Sequence, residues 1–309
     1  MRTLRIATRA SDLALAQARF VASLLEERLE VSTALVSMTT TGDRLAGPLS
    51  EAGGKGLFIK EVEESLLEGT ADLAVHSAKD LPAVIHSDLE LCAFPERADP
   101  RDALVARSPG ATLADLPRGA RVGTGSVRRT AQLLRARPDL TVVPLRGNVP
   151  TRLRKLEEEN LDAVILACAG LERLDCADRI SERISPDVLL PAVTQGVLAL
   201  ETRRGDPDTR GVGDLDDAMV SAAVSAERGF LVRVGGDCGV PMAAHAEHGG
   251  AGLLRVRGLV ISPDGREVAE AEREVPVSEA EACGRAVAEL VLDAGGQEIL
   301  DGLPGVSPA

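Results

Sequence analysis

Arginine occurs in this chain where sequences usually avoid it. Arg9 lies between a short apolar run at 4–8 and Ser11, a residue suited to capping a helix. Arg128 and Arg129 fall in the first turn after Ser126, a second candidate cap, with Thr124 just ahead in Gly123-Thr-Gly125. Arg146 precedes Gly147-Asn148, and Arg152 follows Pro150 in what reads as another first helical turn. A helix N-terminus carries partial positive charge and attracts Asp or Glu. Cations placed there cost roughly a few tenths of a kcal/mol each unless an anion lies among them. Repeated at three strand-to-helix turns, the pattern implies a cleft that binds several carboxylates or phosphates. Pairing with surface Asp and Glu is the alternative for any one of these arginines.

Two further constellations carry chemistry. In His76-Ser-Ala-Lys79-Asp80, Lys79 and Asp80 follow a strand and precede Pro82, which cannot continue a sheet. An Asp beside a Lys stays ionised and can accept N–H donors or stabilise a developing cation, though a plain turn carboxylate has the same sequence. In Gly235-Gly-Asp237-Cys238-Gly239-Val-Pro241 a Gly-rich loop makes the thiol reachable, whereas Cys168 in the apolar run 165–169 reads as core. Asp237 is expected to slow thiolate formation, and an incidental cysteine in an exposed turn is the alternative. Other motifs fail. Gly53-Gly-Lys55-Gly56 lacks the Ser/Thr of a phosphate loop, and Gly123-Thr-Gly125 lacks the third Gly of a dinucleotide fingerprint. No Gly-x-Ser-x-Gly surrounds Ser126. His245 and His248, read as a turn pair, lack a third ligand, and five scattered cysteines show neither CxxC nor finger spacing, so no metal is expected.

The elements that position these residues alternate. Strands are expected at 4–8, 33–39, 72–76, 89–94 and 103–106, with helices from Ser11 and at 58–67. The rhythm restarts with strands at 121–123, 141–145 and 163–167 and helices at 126–136 and 150–159. After Gly205 the texture changes: a linker through Asp206-Pro-Asp208 and Gly211-Val-Gly213, a helix at 216–230, strands at 253–261 and 267–275 around Pro263-Asp-Gly265, and an amphipathic helix at 278–294. This implies two open α/β sheets followed by a small α+β domain. The 309 residues hold 35 Lys and Arg against 48 Asp and Glu, a net charge of −13 that excludes a general nucleic-acid role. With no Trp, no Tyr and four Phe, stacking platforms for bases are excluded too. No apolar run approaches the ~20 residues of a membrane span. Residues 13–18 imitate a signal-peptide end, but Arg9 and Asp12 interrupt the stretch before them, so a cytoplasmic protein is expected.

Taken together, the segments resemble the porphobilinogen deaminase (hydroxymethylbilane synthase) family nearly end to end. The resemblance is carried by Arg5-Ile-Ala-Thr-Arg9-Ala-Ser11, Gly53-Gly-Lys-Gly-Leu-Phe58, His76-Ser-Ala-Lys-Asp80-Leu-Pro82, Arg97-Ala-Asp-Pro-Arg-Asp102 and Val122-Gly-Thr-Gly-Ser126-Val-Arg128-Arg129. Leu145-Arg-Gly-Asn148, Ala169-Gly-Leu-Glu-Arg173, Pro191-Ala-Val-Thr-Gln195-Gly196 and the Cys238 loop complete it. It implies two periplasmic-binding-protein-like α/β domains, 1–97 with 196–214 and 98–195, plus an α+β domain at 215–309. It implies a transferase that joins four porphobilinogen molecules head to tail with loss of ammonia, then hydrolyses off linear hydroxymethylbilane. The primer is a dipyrromethane cofactor held by a thioether, here on Cys238. The growing polyanion is expected to meet Arg9, Arg128, Arg129, Arg146, Arg152, Arg173 and Lys79, with Ser11, Thr124, Ser126 and Gln195 as neutral partners. Asp80 matches the catalytic aspartate, Phe58 a residue that stacks on a pyrrole, and Lys55 a loop near the cleft. A monomer is the family expectation. Pro150, Thr194 and Asp237 depart from the pattern, the first two standing where Gly is usual and Asp237 where a small residue is. An anion-binding solute receptor would share two such lobes but gives Cys238 no purpose.

Overall fold

The computed structural model describes residues 2–44, 58–235 and 239–303. In chain order its strands are β1 (Thr3–Arg9), β2 (Ser32–Met38), β3 (Leu73–Ser77), β4 (Leu89–Ala93), β5 (Asp102–Ala106), β6 (Arg121–Gly123), β7 (Thr141–Val143), β8 (Ala163–Ala167), β9 (Glu182–Arg183), β10 (Leu198–Arg203), β11 (Met242–Gly250), β12 (Leu253–Ile261) and β13 (Val268–Pro276). The helices are α1 (Asp12–Leu29), α2 (Thr41–Arg44), α3 (Lys60–Leu67), α4 (Val127–Ala136), α5 (Val149–Glu158), α6 (Cys168–Glu172), α7 (Ala218–Val234), α8 (Ala280–Val291) and α9 (Gln297–Asp301). The chain divides into two compact units, Met1–Ala98 with Gly196–Ser221, and Asp99–Gln195 with Ala222–Ala309.

In the first unit the strand order is β2-β1-β3-β10-β4. β1 runs parallel to β2 and β3, and β10 runs antiparallel to both β3 and β4. Alternate residues of β1 serve opposite faces, as a strand buried on both sides requires. Leu4 and Ile6 join Val75, Leu200 and the α1 residues Ala18, Val21 and Leu25. Ala7 joins Ala74, Leu89 and the α3 residues Val62 and Leu66. In the second unit the order is β7-β6-β8-β5-β9, with β6 parallel to β7 and β8 and β5 antiparallel to β8. The meander β11-β12-β13 belongs to the same unit, where Ala131 and Leu190 share an apolar cluster with Ala243, Leu259 and Ile261.

Three strands depart from the sequence expectation, the first being the two-residue edge strand β9 beside β5. β10 was not expected, because Glu201 interrupts its apolar run; yet Glu201 is fully buried beside His76. β11 takes the place of the turn assigned to His245 and His248. The two histidines lie three residues apart on it, so one is buried and the other exposed on the opposite face. The expected linker after Gly205 instead contains two 3₁₀ turns, Pro207–Thr209 and Val212–Leu215.

Candidate active site

In the first unit, Arg9 ends β1. Its guanidinium stacks over the Phe58 ring at 4.3 Å from the centroid and pairs with Asp43. Burial pushes the Asp43 carboxyl up, but hydrogen bonds from Arg9 and from the Thr40 hydroxyl and backbone outweigh it and hold the group below the usual range. Ser11 caps α1 as expected, its Oγ accepting from the Ala14 N–H at 3.4 Å. Lys79 and Asp80 occupy a single 3₁₀ turn, Ala78–Asp80, directly after β3, where the Ala78 N–H donates to the Val197 carbonyl at 3.0 Å. The two residues before that turn are held from opposite faces of the sheet. His76 Nε2 lies 2.9 Å from Glu201 Oε2, and Ser77 Oγ exchanges hydrogen bonds with the Gln17 amide at 3.0 and 3.1 Å. Asp80 itself is half-buried, and among the described residues no ion pair or hydrogen bond engages its carboxylate.

In the second unit, Ser126 caps α4, accepting from the Arg129 N–H at 3.4 Å, while Thr124 Oγ1 accepts from the Ser126 N–H at 3.2 Å. Arg128 and Arg129 are buried and converge on Asp102, the fully buried first residue of β5. Arg129 donates from Nε and Nη2 at 3.0 and 2.7 Å, and Arg128 Nη2 lies 2.8 Å from the other carboxylate oxygen. Gln195 donates to the same carboxylate at 3.0 Å and to the Pro100 carbonyl at 2.6 Å. Burial would raise the Asp102 carboxyl, but the two guanidiniums hold it down at about 2. Burial pulls Arg128 below its usual value; Asp102 opposes this and Arg129 adds to it. Two cations on one anion leave an excess positive charge at the start of α4.

The remaining arginines of this unit lie on other loops. Arg152 Nε donates to the Gly147 carbonyl at 2.7 Å, folding back across the start of α5. That helix is capped by Asn148, whose Oδ1 accepts from Thr151 at 3.0 Å, and Pro150 sits in its first turn, where a missing N–H is harmless. Gly147 has φ 115°, and a Cβ there would lie 2.6 Å from Thr151 Cγ2, so glycine is required. Arg146 is half-buried and, among the described residues, makes no ion pair. Arg173 closes α6. Thr194 has φ 57° and is buried, its N–H donating to Glu227 Oε2 at 2.5 Å. Lys55, Asp237 and Cys238 lie outside the described residues.

The structure thus gathers Arg128, Arg129 and Gln195 around Asp102, and Arg9 onto Phe58. Asp102 carries no role in the sequence reading, although an acid opening an otherwise apolar strand is its signal. Among the described residues no three His, Cys, Asp or Glu side chains are grouped as a metal site would need, and no helix is long and apolar enough to cross a membrane. A dipyrromethane bearing acetate and propionate groups needs cations without internal partners. Arg146 and the excess charge of the Arg128–Arg129–Asp102 group match that need.

The sequence model described as "Porphobilinogen deaminase, dipyromethane cofactor binding domain" matches residues 4–211, and "Porphobilinogen deaminase, C-terminal domain" matches residues 221–293. A porphobilinogen deaminase of Syntrophotalea carbinolica is 52% identical over 303 residues, covering 97% of this chain and 96% of its own. That of Roseiflexus castenholzii is 50% identical, covering 97% and 99%, and that of Bordetella parapertussis 48% identical, covering 99% and 98%. Among solved structures, the methionine-binding protein MetQ aligns with TM-score 0.42 and 11% identity over 69% of this chain and 88% of its own.

Proposed function

Because this chain belongs to the porphobilinogen deaminase family, we propose that Asp80 is its catalytic carboxylate, that Cys238 holds its dipyrromethane, and that its arginines bind the carboxylates of primer and substrate. The activity is that of hydroxymethylbilane synthase: four porphobilinogens are joined head to tail with loss of ammonia, and the linear tetrapyrrole is released by hydrolysis. The bound cofactor supplies the pyrrole end to which substrate is joined. The observation that carries the residue assignment is the charge imbalance. In a chain with 48 acids against 35 Lys and Arg, Arg146 has no ion-pair partner among the described residues, and Arg128 and Arg129 share one. Cations left unbalanced on an acidic protein are supported best by an anionic ligand.

Asp80 supports the complementary task. Loss of ammonia from porphobilinogen leaves positive character on the pyrrole methylene, and a carboxylate that no described residue engages stabilises charge that develops there. The same oxygen accepts pyrrole N–H groups and receives the proton lost when aromaticity is restored. The 3₁₀ turn fixes the backbone from which that carboxylate projects, while Lys79 in the same turn offers a cation to a substrate carboxylate. Ser11, Thr124 and Ser126 supply neutral hydroxyls, whereas Gln195, with its amide N–H groups on Asp102 and the Pro100 carbonyl, acts by holding Asp102; Phe58 and Lys55 keep the roles that the family resemblance implies.

We further propose the three-domain division 1–97 with 196–214, 98–195 and 215–309, supported by the separate match of residues 221–293 to a C-terminal domain, and a monomeric cytoplasmic enzyme, in line with the family expectation. The decisive test is the intact mass of the purified protein with peptide mapping around Cys238. An excess of two porphobilinogens less two ammonias on that residue supports the assignment. The same excess on another residue overturns it.

A further inference from the structure

Behind the Asp80 turn lies a group of titratable side chains that the reaction does not touch. Glu201 on β10 is fully buried, with Oε2 2.9 Å from His76 Nε2 and Oε1 without a hydrogen-bond partner among the described residues. Glu63, on α3 where it packs against β3 and β10, also buries an oxygen, Oε1, that has no partner. Burial and the neighbouring charge of Glu201 push the Glu63 carboxyl up, while His76 and His86 pull it down more weakly. The other charged groups near this face are committed elsewhere. From β10, Arg203 donates to the Leu66 and Ala71 carbonyls at 2.6 and 2.7 Å and pairs with Asp206. From β1, Arg5 is bound to Asp72 at 2.7 Å. His86 is exposed and accepts from the Asp88 N–H at 3.2 Å.

Glu63 Oε1 and Glu201 Oε1, on elements packed against each other, are two buried acceptors with no donor among the described residues. One shared proton satisfies both. We propose that the Glu63 carboxyl donates a hydrogen bond to Glu201, so that Glu63, Glu201 and His76 form one proton-holding chain that positions the end of β3 and therefore Asp80. The link to Asp80 is covalent and short. His76 is anchored to Glu201 on one face and Ser77 to Gln17 on the other, and the turn bearing Asp80 begins at the next residue. Glu63 and Glu201 are positioning residues here, and this part rests on the reading of Asp80 given above.

The experiment uses the holoenzyme and the variants Glu63→Gln and Glu63→Leu. Intact mass and far-ultraviolet circular dichroism confirm that each is folded and carries its cofactor. The infrared spectrum at pH 7 is then compared with that of the wild type, and a protonated-carboxyl C=O band should vanish in Glu63→Gln. Gln still donates to Glu201, so its kcat stays within about threefold of wild type; Leu cannot, and kcat falls by about tenfold or more with KM for porphobilinogen unchanged. Identical infrared spectra overturn the shared proton. Equal kcat for the Gln and Leu variants overturns the positioning role. Turnover by Asp80→Ala would instead remove the reading of Asp80 and the positioning claim with it, while the infrared band, which needs no turnover, continues to report the proton.

Discussion

Replacing Asp102 by Asn removes one charge from the centre of the second unit with almost no change of shape. The wild-type carboxylate accepts from Arg129 at 2.7 and 3.0 Å, from Gln195 at 3.0 Å, and pairs with Arg128 at 2.8 Å. Asn keeps one acceptor oxygen but no negative charge, so two buried guanidiniums are left without a counter-ion, held otherwise by the Leu190 and Ile165 carbonyls at 2.7 and 3.1 Å, and an NH₂ group turns toward one of them. Stranding a buried charge in this way costs about 3–5 kcal/mol. The carboxyl's own preference gives a smaller figure: the fall from 3.8 to about 2, at about 1.36 kcal/mol per decade, is worth on the order of 2 kcal/mol. The difference is reasonable, because the second figure counts only ionising Asp102 and omits the repulsion between the guanidiniums it separates. The larger value is therefore expected.

The pH dependence has a definite sign. A depressed carboxyl contributes stability that is present above its unfolded value of 3.8 and lost as pH falls through about 2. The gap between wild type and Asp102→Asn should thus be constant from pH 7 to pH 5 and close progressively below pH about 4. With no Trp and no Tyr the chain has little intrinsic fluorescence, so urea unfolding is followed by far-ultraviolet circular dichroism. Amide exchange read by mass spectrometry then localises the loss. Peptides from β5 and α4 should exchange faster, and those from β1 and β3 should not. An unchanged urea midpoint at pH 7 with unchanged protection in β5 would refute the assignment of Asp102 as the counter-ion.

Three further substitutions separate chemistry from scaffolding. Asp80→Ala removes a carboxylate that supports no other residue, so the folded protein should keep its dipyrromethane by intact mass yet release no hydroxymethylbilane; substantial turnover would exclude the assigned role. Thr194→Gly should raise stability by about 1 kcal/mol, since a β-branched residue at φ 57° is strained where glycine is not, and a lower urea midpoint would show that the strain is absent. Gly284→Ala places a Cβ 1.8 Å from the Ala226 carbonyl oxygen, on backbone that cannot swing aside. It should cost about 3 kcal/mol and loosen α8 from α7, read as faster exchange in both helices.

What was legible in the sequence tracks how local each interaction is. Ser11 and Ser126 were readable as caps because a cap depends on a residue three positions on, and both accept from that position. Arg128 and Arg129 were placed correctly at the start of a helix, but their carboxylate partner was not. Asp102 lies 27 residues before Arg129 and reaches it only because β5 enters the sheet beside β8. His76 and Glu201 are 125 residues apart, joined by the return of β10 next to β3. That same contact hid β10, since a glutamate in an apolar run argues against a buried strand until its histidine is found. The consequence for function is that an arginine at a helix start has two explanations, and only strand order separates them. Arg128 and Arg129 use most of their donors on the protein and leave one positive charge between them, whereas Arg146 keeps its own. A ligand carboxylate should therefore depend more steeply on Arg146 than on either buried arginine alone, whose loss would first be felt as a loss of fold.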